Sequence, residues 1–139
     1  MTGARDYTLR PATSGDFEFV RELYLESWGE PAQGFLEKWF KPERMKIILV
    51  GGKDVGLLVV EKRPSELFLE SISVSSALQS RGLGASVIKD VLEDAEVSRL
   101  PVVLEVLKPN PARRLYERLG FRVVDENATH LQMKWQPTF

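Results

Sequence analysis

Hydrophobic positions change period along the chain, from alternation to helical spacing and back, and those changes predict its elements. In YTLRPA, Tyr7 and Leu9 alternate with polar residues and the run stops at Pro11. This predicts a short first strand at a sheet edge, where a residue without an N–H is tolerated. From Thr13 the period lengthens. Phe17, Val20, Leu23 and Tyr24 fall on one stripe, Thr13 or Ser14 is placed to cap, and Asp16 and Glu18 occupy a first turn whose dipole favours acids. QGFLEKWF predicts a second, shorter helix, with Pro31 and Gly34 leaving its boundaries loose.

MKIILV, GGKD and VGLLVVEKR predict a hairpin with GGKD as the turn, and after Pro64 and Ser65 the run ELFLESISV adds a third strand to an antiparallel meander. Leu83, Val87, Ile88, Val91, Leu92 and Ala95 then recur at helical spacing, and PVVLEVL is again strand-like. Strand, helix, strand predicts a parallel pair joined by a right-handed crossover. Ala112, Leu115, Tyr116 and Leu119 mark a last helix, with Pro111 near its start and Gly120 placed to end it. FRVVDE and THLQMKW close the chain as two strands, the second with Leu131, Met133 and Trp135 on one face. The expected fold is α/β: a mixed sheet with an antiparallel N-terminal meander, a central parallel strand pair and four helices. No repeat or linker divides it, so residues 1–139 are expected to form a single domain.

Composition narrows the function classes. Hydrophobic residues make up 43% and charged residues 28%, the range of globular proteins. Lysine and arginine total 19 against 20 acids, so no overall field draws the chain to nucleic acid or to an anionic membrane, and neither is an expected partner. The absence of cysteine excludes disulfides, thiolate metal sites and a cysteine nucleophile. With a single histidine, His130, read as a polar position on the last strand, no metal is expected. The start, MTGARDYTLRPATSGDF, lacks the apolar run of a signal peptide, and no segment approaches the ~20 apolar residues that span a bilayer. A cytoplasmic location is the expectation.

SALQSRGLGASV carries the first candidate chemistry. Gly82 and Gly84 stand between a strand-like run and a helical one, with Arg81 and Gln79 just ahead. A helix start offers unpaired N–H groups and a positive dipole end, and glycines let a phosphate come close. A strand-to-helix turn needing only conformational freedom fits the same residues. Two familiar phosphate loops are excluded: a Walker loop ends Gly-Lys-Ser/Thr where this chain has Gly-Ala-Ser, and the dinucleotide fingerprint needs glycine or alanine where Val87 stands. What remains is Gln-x-x-Gly-x-Gly.

QSRGLG after the strand ISV resembles the acetyl-CoA loop of the GNAT N-acetyltransferases. NPARRLYERLGF is similar to that family's second hallmark, a tyrosine ahead of a Leu-Gly-Phe helix end, and the order of elements is similar over almost the whole chain. The resemblance implies a GNAT-like single domain that transfers an acetyl group from acetyl-CoA, as co-substrate, to a primary amine of a small molecule or peptide. It implies that the backbone of Arg81, Gly82, Leu83, Gly84 and Ala85, with Gln79, holds the pyrophosphate. It implies further that the main chain of Ile72, Ser73 and Val74 pairs with the pantetheine arm. Asn110 is an implied pantetheine contact, although the commoner spacing puts this asparagine seven residues before the tyrosine; here Pro109 stands there and Asn110 is six before. Members often dimerise, so the resemblance allows a homodimer and leaves the oligomeric state open. A non-catalytic acyl-CoA-binding or regulatory module is the alternative reading.

By the same resemblance Tyr116 is the acid that protonates the departing thiolate. A phenol with an ordinary pKa of ~10 suits this, lying near an alkyl thiol. Its place on the apolar stripe fits a core tyrosine equally. Two glutamates are candidate bases, acting through water: Glu70 shares a strand face with Phe68, Ile72 and Val74, and Glu105 with Val103 and Leu107. Apolar surroundings would raise a carboxylate's pKa toward a base's range, whereas a strand end would leave it solvated. The family uses either strand, so the resemblance does not choose. Without cysteine there is no thiol acyl-enzyme, and direct attack in a ternary complex is expected. Arg113, Arg114, Arg118 and Arg122 read as a solvated helix face, and Trp28 and Trp39 fall where the family builds its acceptor pocket.

Overall fold

The computed structural model describes residues 7–78 and 82–138. Among them the elements run β1 (Thr8–Pro11), α1 (Phe17–Trp28), α2 (Phe35–Trp39), β2 (Met45–Val50), β3 (Lys53–Lys62), β4 (Leu67–Val74), α3 (Leu83–Ser98), β5 (Val102–Leu107), α4 (Ala112–Arg118), β6 (Arg122–Glu126) and β7 (His130–Trp135). Single 3-10 turns lie at Ser14–Asp16, Pro42–Arg44 and Ser76–Leu78. The strands form one mixed sheet in the order β1-β2-β3-β4-β5-β7-β6. The expected meander, parallel pair and four helices are present. Residue contacts concentrate in two units, Met1–Val59 with Ser71–Gly84 and Val60–Glu70 with Ala85–Phe139.

In the first unit β1 runs antiparallel to β2 along the sheet edge, from Thr8 opposite Leu49 to Pro11 opposite Lys46. The hairpin turn is tighter than the sequence pattern indicates. Val50 pairs directly with Lys53, so the turn is Gly51 and Gly52 alone, and Lys53 and Asp54 belong to β3. A two-residue turn matches the twist of the strands it joins, and a longer one is unnecessary. The stripe on α1 supplies Val20 and Leu23 to a core with Ala12, Met45, Ile47, Leu57 and Val59.

The start of α1 is held by charge. Arg10 donates from Nη1 to Asp16 Oδ2 and from Nη2 to Asp16 Oδ1, both at 2.9 Å, and from Nη2 to Asp54 Oδ2 at 3.0 Å. Asp16 also accepts the Thr13 N–H at 2.8 Å. The Arg10 guanidinium is the largest influence on this carboxyl and lowers its pKa to about 2, against a smaller opposing effect of burial.

In the second unit, Val87, Ile88, Val91, Leu92 and Ala95 of α3 are buried, as their spacing predicts. On β5 the buried face is Val102, Leu104 and Val106, and on β7 it is Leu131 and Met133. β7 lies between β5 and β6, antiparallel to both, which leaves β6 at the edge with every residue exposed. The parallel β4–β5 ladder is two pairs long, Leu67 with Val102 and Phe68 with Val103.

Candidate active site

The candidate residues lie on two stretches of chain, β4 with the turn into α3, and β5 with α4. Gly82 precedes α3 with φ +79°, a conformation that L side chains resist, so the turn itself accounts for this glycine. Gly84 is different. It lies inside α3, its φ is not positive, and a Cβ built on it meets nothing within 4 Å. Local structure gives no reason for glycine there, and helix propensity disfavours it by roughly 0.5–1 kcal/mol relative to alanine. Open space at the first turn of a helix, where N–H groups lack partners, fits the close approach of a phosphate. Leu83 is buried and Ala85 half-buried beside it. Gln79 and Arg81, expected at the same cradle, lie outside the described residues.

Ser73 and Val74 are buried and Ile72 is half-buried on β4. The ladder to β5 ends at Phe68, so these three residues lie beyond it. The chain past the strand is secured twice. Ser75 donates its N–H to the Val55 carbonyl at 2.8 Å. Ser76 donates its N–H to Glu26 Oε1 at 2.8 Å and its hydroxyl to Oε2 at 3.0 Å.

Tyr116 sits in the last turn of α4, where the helix stops in a Schellman motif: the Phe121 N–H donates to the Tyr116 carbonyl and the Gly120 N–H to the Glu117 carbonyl, both at 3.0 Å. Gly120 supplies the required positive φ, +105°, and a Cβ there would come within 3.1 Å of Trp135 Cδ1. Burial pushes the Tyr116 phenol above its ordinary pKa of 10, a direction that favours the protonated form. The apolar stripe of α4 is half-buried rather than core, since Ala112, Leu115, Tyr116 and Leu119 all keep some exposure. A side chain in this position is accessible in a way that a core tyrosine is not.

Asn110 has a definite structural task. Its Oδ1 accepts the Ala112 N–H at 2.9 Å and its carbonyl accepts the Arg113 N–H at 3.3 Å, closing the first turn of α4. These bonds use the Asn110 oxygens and not its side-chain NH2.

Of the two alternatives left open for the glutamates, apolar surroundings or solvent, the two residues differ in exposure. Glu105 is exposed, on the less buried face of β5, and accepts a hydrogen bond from Gln132 Nε2 at 3.3 Å. The opposite face, Val102, Leu104 and Val106, turned to the core instead. Glu70 is half-buried. Because Phe68 and Val103 are ladder partners, Glu70 and Glu105, each two residues on, project from the same side of the sheet. Glu105 lines a groove of about 280 Å³ together with Arg63, Glu66, Phe68, Val103 and Lys134.

Arg113, Arg114, Arg118 and Arg122 are exposed, with Arg113 paired to Glu117 at 3.2 Å, a solvated face as expected. His130 is half-buried on β7, with Nδ1 2.7 Å from Thr129 Oγ1. Trp28 and Trp39 join one aromatic cluster around Tyr24, with Phe35 stacked on Trp39 at 6.2 Å. Trp28 is 51% exposed, unlike a core tryptophan. Sequence reasoning missed Glu26, which reads as one more polar residue on an amphipathic helix. A faint signal exists: an acid in the last turn of α1 opposes the helix dipole.

Residues 16–121 match the family model described as the acetyltransferase (GNAT) family. The chain belongs to that family. Solved structures share its fold: the PaiA N-acetyltransferase of Thermoplasma acidophilum, in complex with coenzyme A, superposes with TM-score 0.75 at 15% identity over 94% of this chain and 98% of that one. A GNAT family acetyltransferase of Elizabethkingia anophelis with acetyl-CoA bound gives TM-score 0.74 at 17% identity, covering 96% and 99%. The ribosomal-protein-S18-alanine N-acetyltransferase of Escherichia coli gives 0.75 at 19%, covering 96% and 95%. As a member of the acetyltransferase (GNAT) family the protein is an acetyltransferase. Among the described residues no helix is long and apolar enough to cross a membrane.

Proposed function

We propose that this GNAT protein acetylates a primary amine, carried by a small molecule or a peptide, by direct attack on acetyl-CoA within a ternary complex. The observation that supports the mechanism is the Tyr116 phenol: partly buried, its pKa raised by that burial, and set at the end of α4. The neutral amine attacks the thioester carbonyl carbon, a C–N bond forms, and the tetrahedral oxyanion collapses with cleavage of the C–S bond. Tyr116 gives its proton to the departing thiolate, and the attacking nitrogen, cationic once the C–N bond has formed, gives up its extra proton, which returns the phenolate to the phenol.

The ammonium must first lose a proton, and Glu70 or Glu105 takes it through water; both project from the same side of the sheet. The backbone amides of residues 81–85, with Gln79, hold the pyrophosphate, and the open space beside Gly84 supports that role. Ile72, Ser73 and Val74 pair by main chain with the pantetheine arm, and Asn110 donates to it from its side-chain amide. A panel of amines, spanning amino acids, polyamines and peptide termini and assayed for coenzyme A thiol release, tests the reading. Turnover with intersecting initial-rate lines is expected. Parallel lines, or binding of acetyl-CoA with no turnover of any amine, would overturn it.

A further inference from the structure

We infer that Glu26 is a positioning residue for acetyl-CoA, fixing the beginning of the coenzyme loop before the coenzyme arrives. The inference rests on the acetyl-transfer reading above and adds to it a residue outside both family hallmarks. Glu26 stands in the last turn of α1, fifty residues from Ser76, and its two carboxylate oxygens are both used on that one serine: Oε1 accepts the backbone N–H at 2.8 Å and Oε2 the hydroxyl at 3.0 Å. Ser76 opens the 3-10 turn Ser76–Leu78, through which β4 leads toward Gly82 and α3.

Three features separate this contact from an incidental surface hydrogen bond. It is bidentate, which fixes direction as well as distance. It acts beside the Ser75 N–H to Val55 bond, so three donors on two consecutive residues hold the backbone where it leaves β4. It also occupies a position where an acid works against its own helix, because the C-terminal end of the dipole disfavours negative charge. Helix stability therefore does not explain the glutamate, whereas holding Ser76 does. A strand exit held in advance loses less conformational freedom on binding, so the clamp appears in coenzyme affinity and not in the chemical step.

The test measures coenzyme A binding by calorimetry and separates kcat from KM for acetyl-CoA. Glu26→Ala is expected to weaken binding about tenfold, the range of a charge-assisted hydrogen bond, with kcat at saturating acetyl-CoA within about twofold of wild type. Ser76→Ala, which keeps the backbone bond, is expected to lose about threefold. The double variant should be no worse than Glu26→Ala, because both substitutions remove one interaction. Glu26→Gln, which presents an acceptor to the N–H and a donor to the hydroxyl, should restore most of the affinity. Affinities within twofold of wild type in both single variants, additive losses, or a Glu26→Gln variant as weak as Glu26→Ala would overturn the inference. If Glu26→Ala does not fold, Glu26→Gln and Ser76→Ala give the same decision. Wild-type protein that binds no coenzyme A overturns the transfer reading and this inference together; wild-type binding with unaffected variants overturns the clamp alone.

Discussion

The ring of Phe121 meets the ring of Tyr116 edge to face, with centroids 5.7 Å apart and planes at 64°. The same two residues close α4 through the Phe121 N–H to Tyr116 carbonyl bond, so the helix end and the direction of the phenol are set by one pair. Phe121 is only 2% exposed. Phe121→Ala is expected to cost about 3–5 kcal/mol in urea unfolding, as truncation of a buried ring does. Phe121→Leu should cost less than about 1.5 kcal/mol yet lower kcat, because the ring that braces the phenol is gone while the volume is largely kept. Full kcat in a folded Phe121→Leu variant would show that the brace serves the fold only.

Tyr116→Phe removes one oxygen from a partly exposed position. Stability should change by less than about 1 kcal/mol, while kcat falls by about 10²–10⁴ and KM for acetyl-CoA stays within a few-fold. Burial raises the phenol's pKa, so its acid form is present below the ordinary value of 10 and is lost only as pH rises through the higher folded value. A wild-type kcat profile without a tyrosine limb below pH 10 is the expected record. An alkaline limb well below that, absent in Tyr116→Phe, would contradict the assignment of cause.

Glu70 and Glu105 share one side of the sheet by alternation from Phe68 and Val103 and differ in exposure, which makes single substitutions informative. Glu70→Gln and Glu105→Gln are expected to differ in kcat/KM by about 10²-fold, with the acid limb of the pH profile lost only in the variant that lacks the base. If neither substitution changes the profile, the amine is deprotonated by bulk water and neither carboxylate is the base.

The two loop glycines predict opposite balances. Gly84→Ala places a methyl group in open space on a helix, so stability should rise by up to about 1 kcal/mol while the affinity for acetyl-CoA falls. Gly82→Ala forces an alanine to φ near +79°, so stability should fall by about 1–2 kcal/mol as well. Thermal unfolding in parallel with coenzyme titration distinguishes them, and unchanged affinity in Gly84→Ala would reduce the stretch to a turn.

Asp16 links stability to acid. Its carboxyl is held at about 2 in the folded protein by Arg10, against an ordinary value of 3.8. A depressed folded value stabilises the fold above the unfolded pKa, and the contribution disappears as pH falls from about 3.8 to about 2. With Arg10 one-third exposed, its size should be of order 1–2 kcal/mol. Asp16→Asn is expected to lose that amount at pH 7 and to flatten the stability profile in this window. An unchanged slope between pH 4 and 2 would place the acid sensitivity elsewhere.

Much of the fold was legible because period is a local property of a chain. Val87, Ile88, Val91, Leu92 and Ala95 could be assigned to one helix face, and Pro111 and Gly120 to its successor's ends, from spacing and backbone chemistry alone. The start of α3 beside Gly82 and the Leu119-Gly120-Phe121 end of α4 were legible for the same reason, since each is a short segment whose residues act on their own neighbours. The tight Gly51–Gly52 turn was less so, because Lys53 reads as polar turn until its pairing with Val50 is known.

What depended on residues far apart in sequence was decided only by the tertiary structure. Alternation on β5 gives two faces but not which one is buried, and the structure turned Val102, Leu104 and Val106 inward and left Glu105 exposed. The pattern of β6 and β7 does not contain their order, with β7 between β5 and β6. Glu26 meets Ser76 across fifty residues with no periodicity to announce it. The sequence by itself determined the elements, the loop and the placement of Tyr116 near a helix end, because those follow from local backbone preference. Burial, register and the contacts that brace the site were settled by packing, because a side chain's surroundings are a property of the folded chain and not of its neighbours along it.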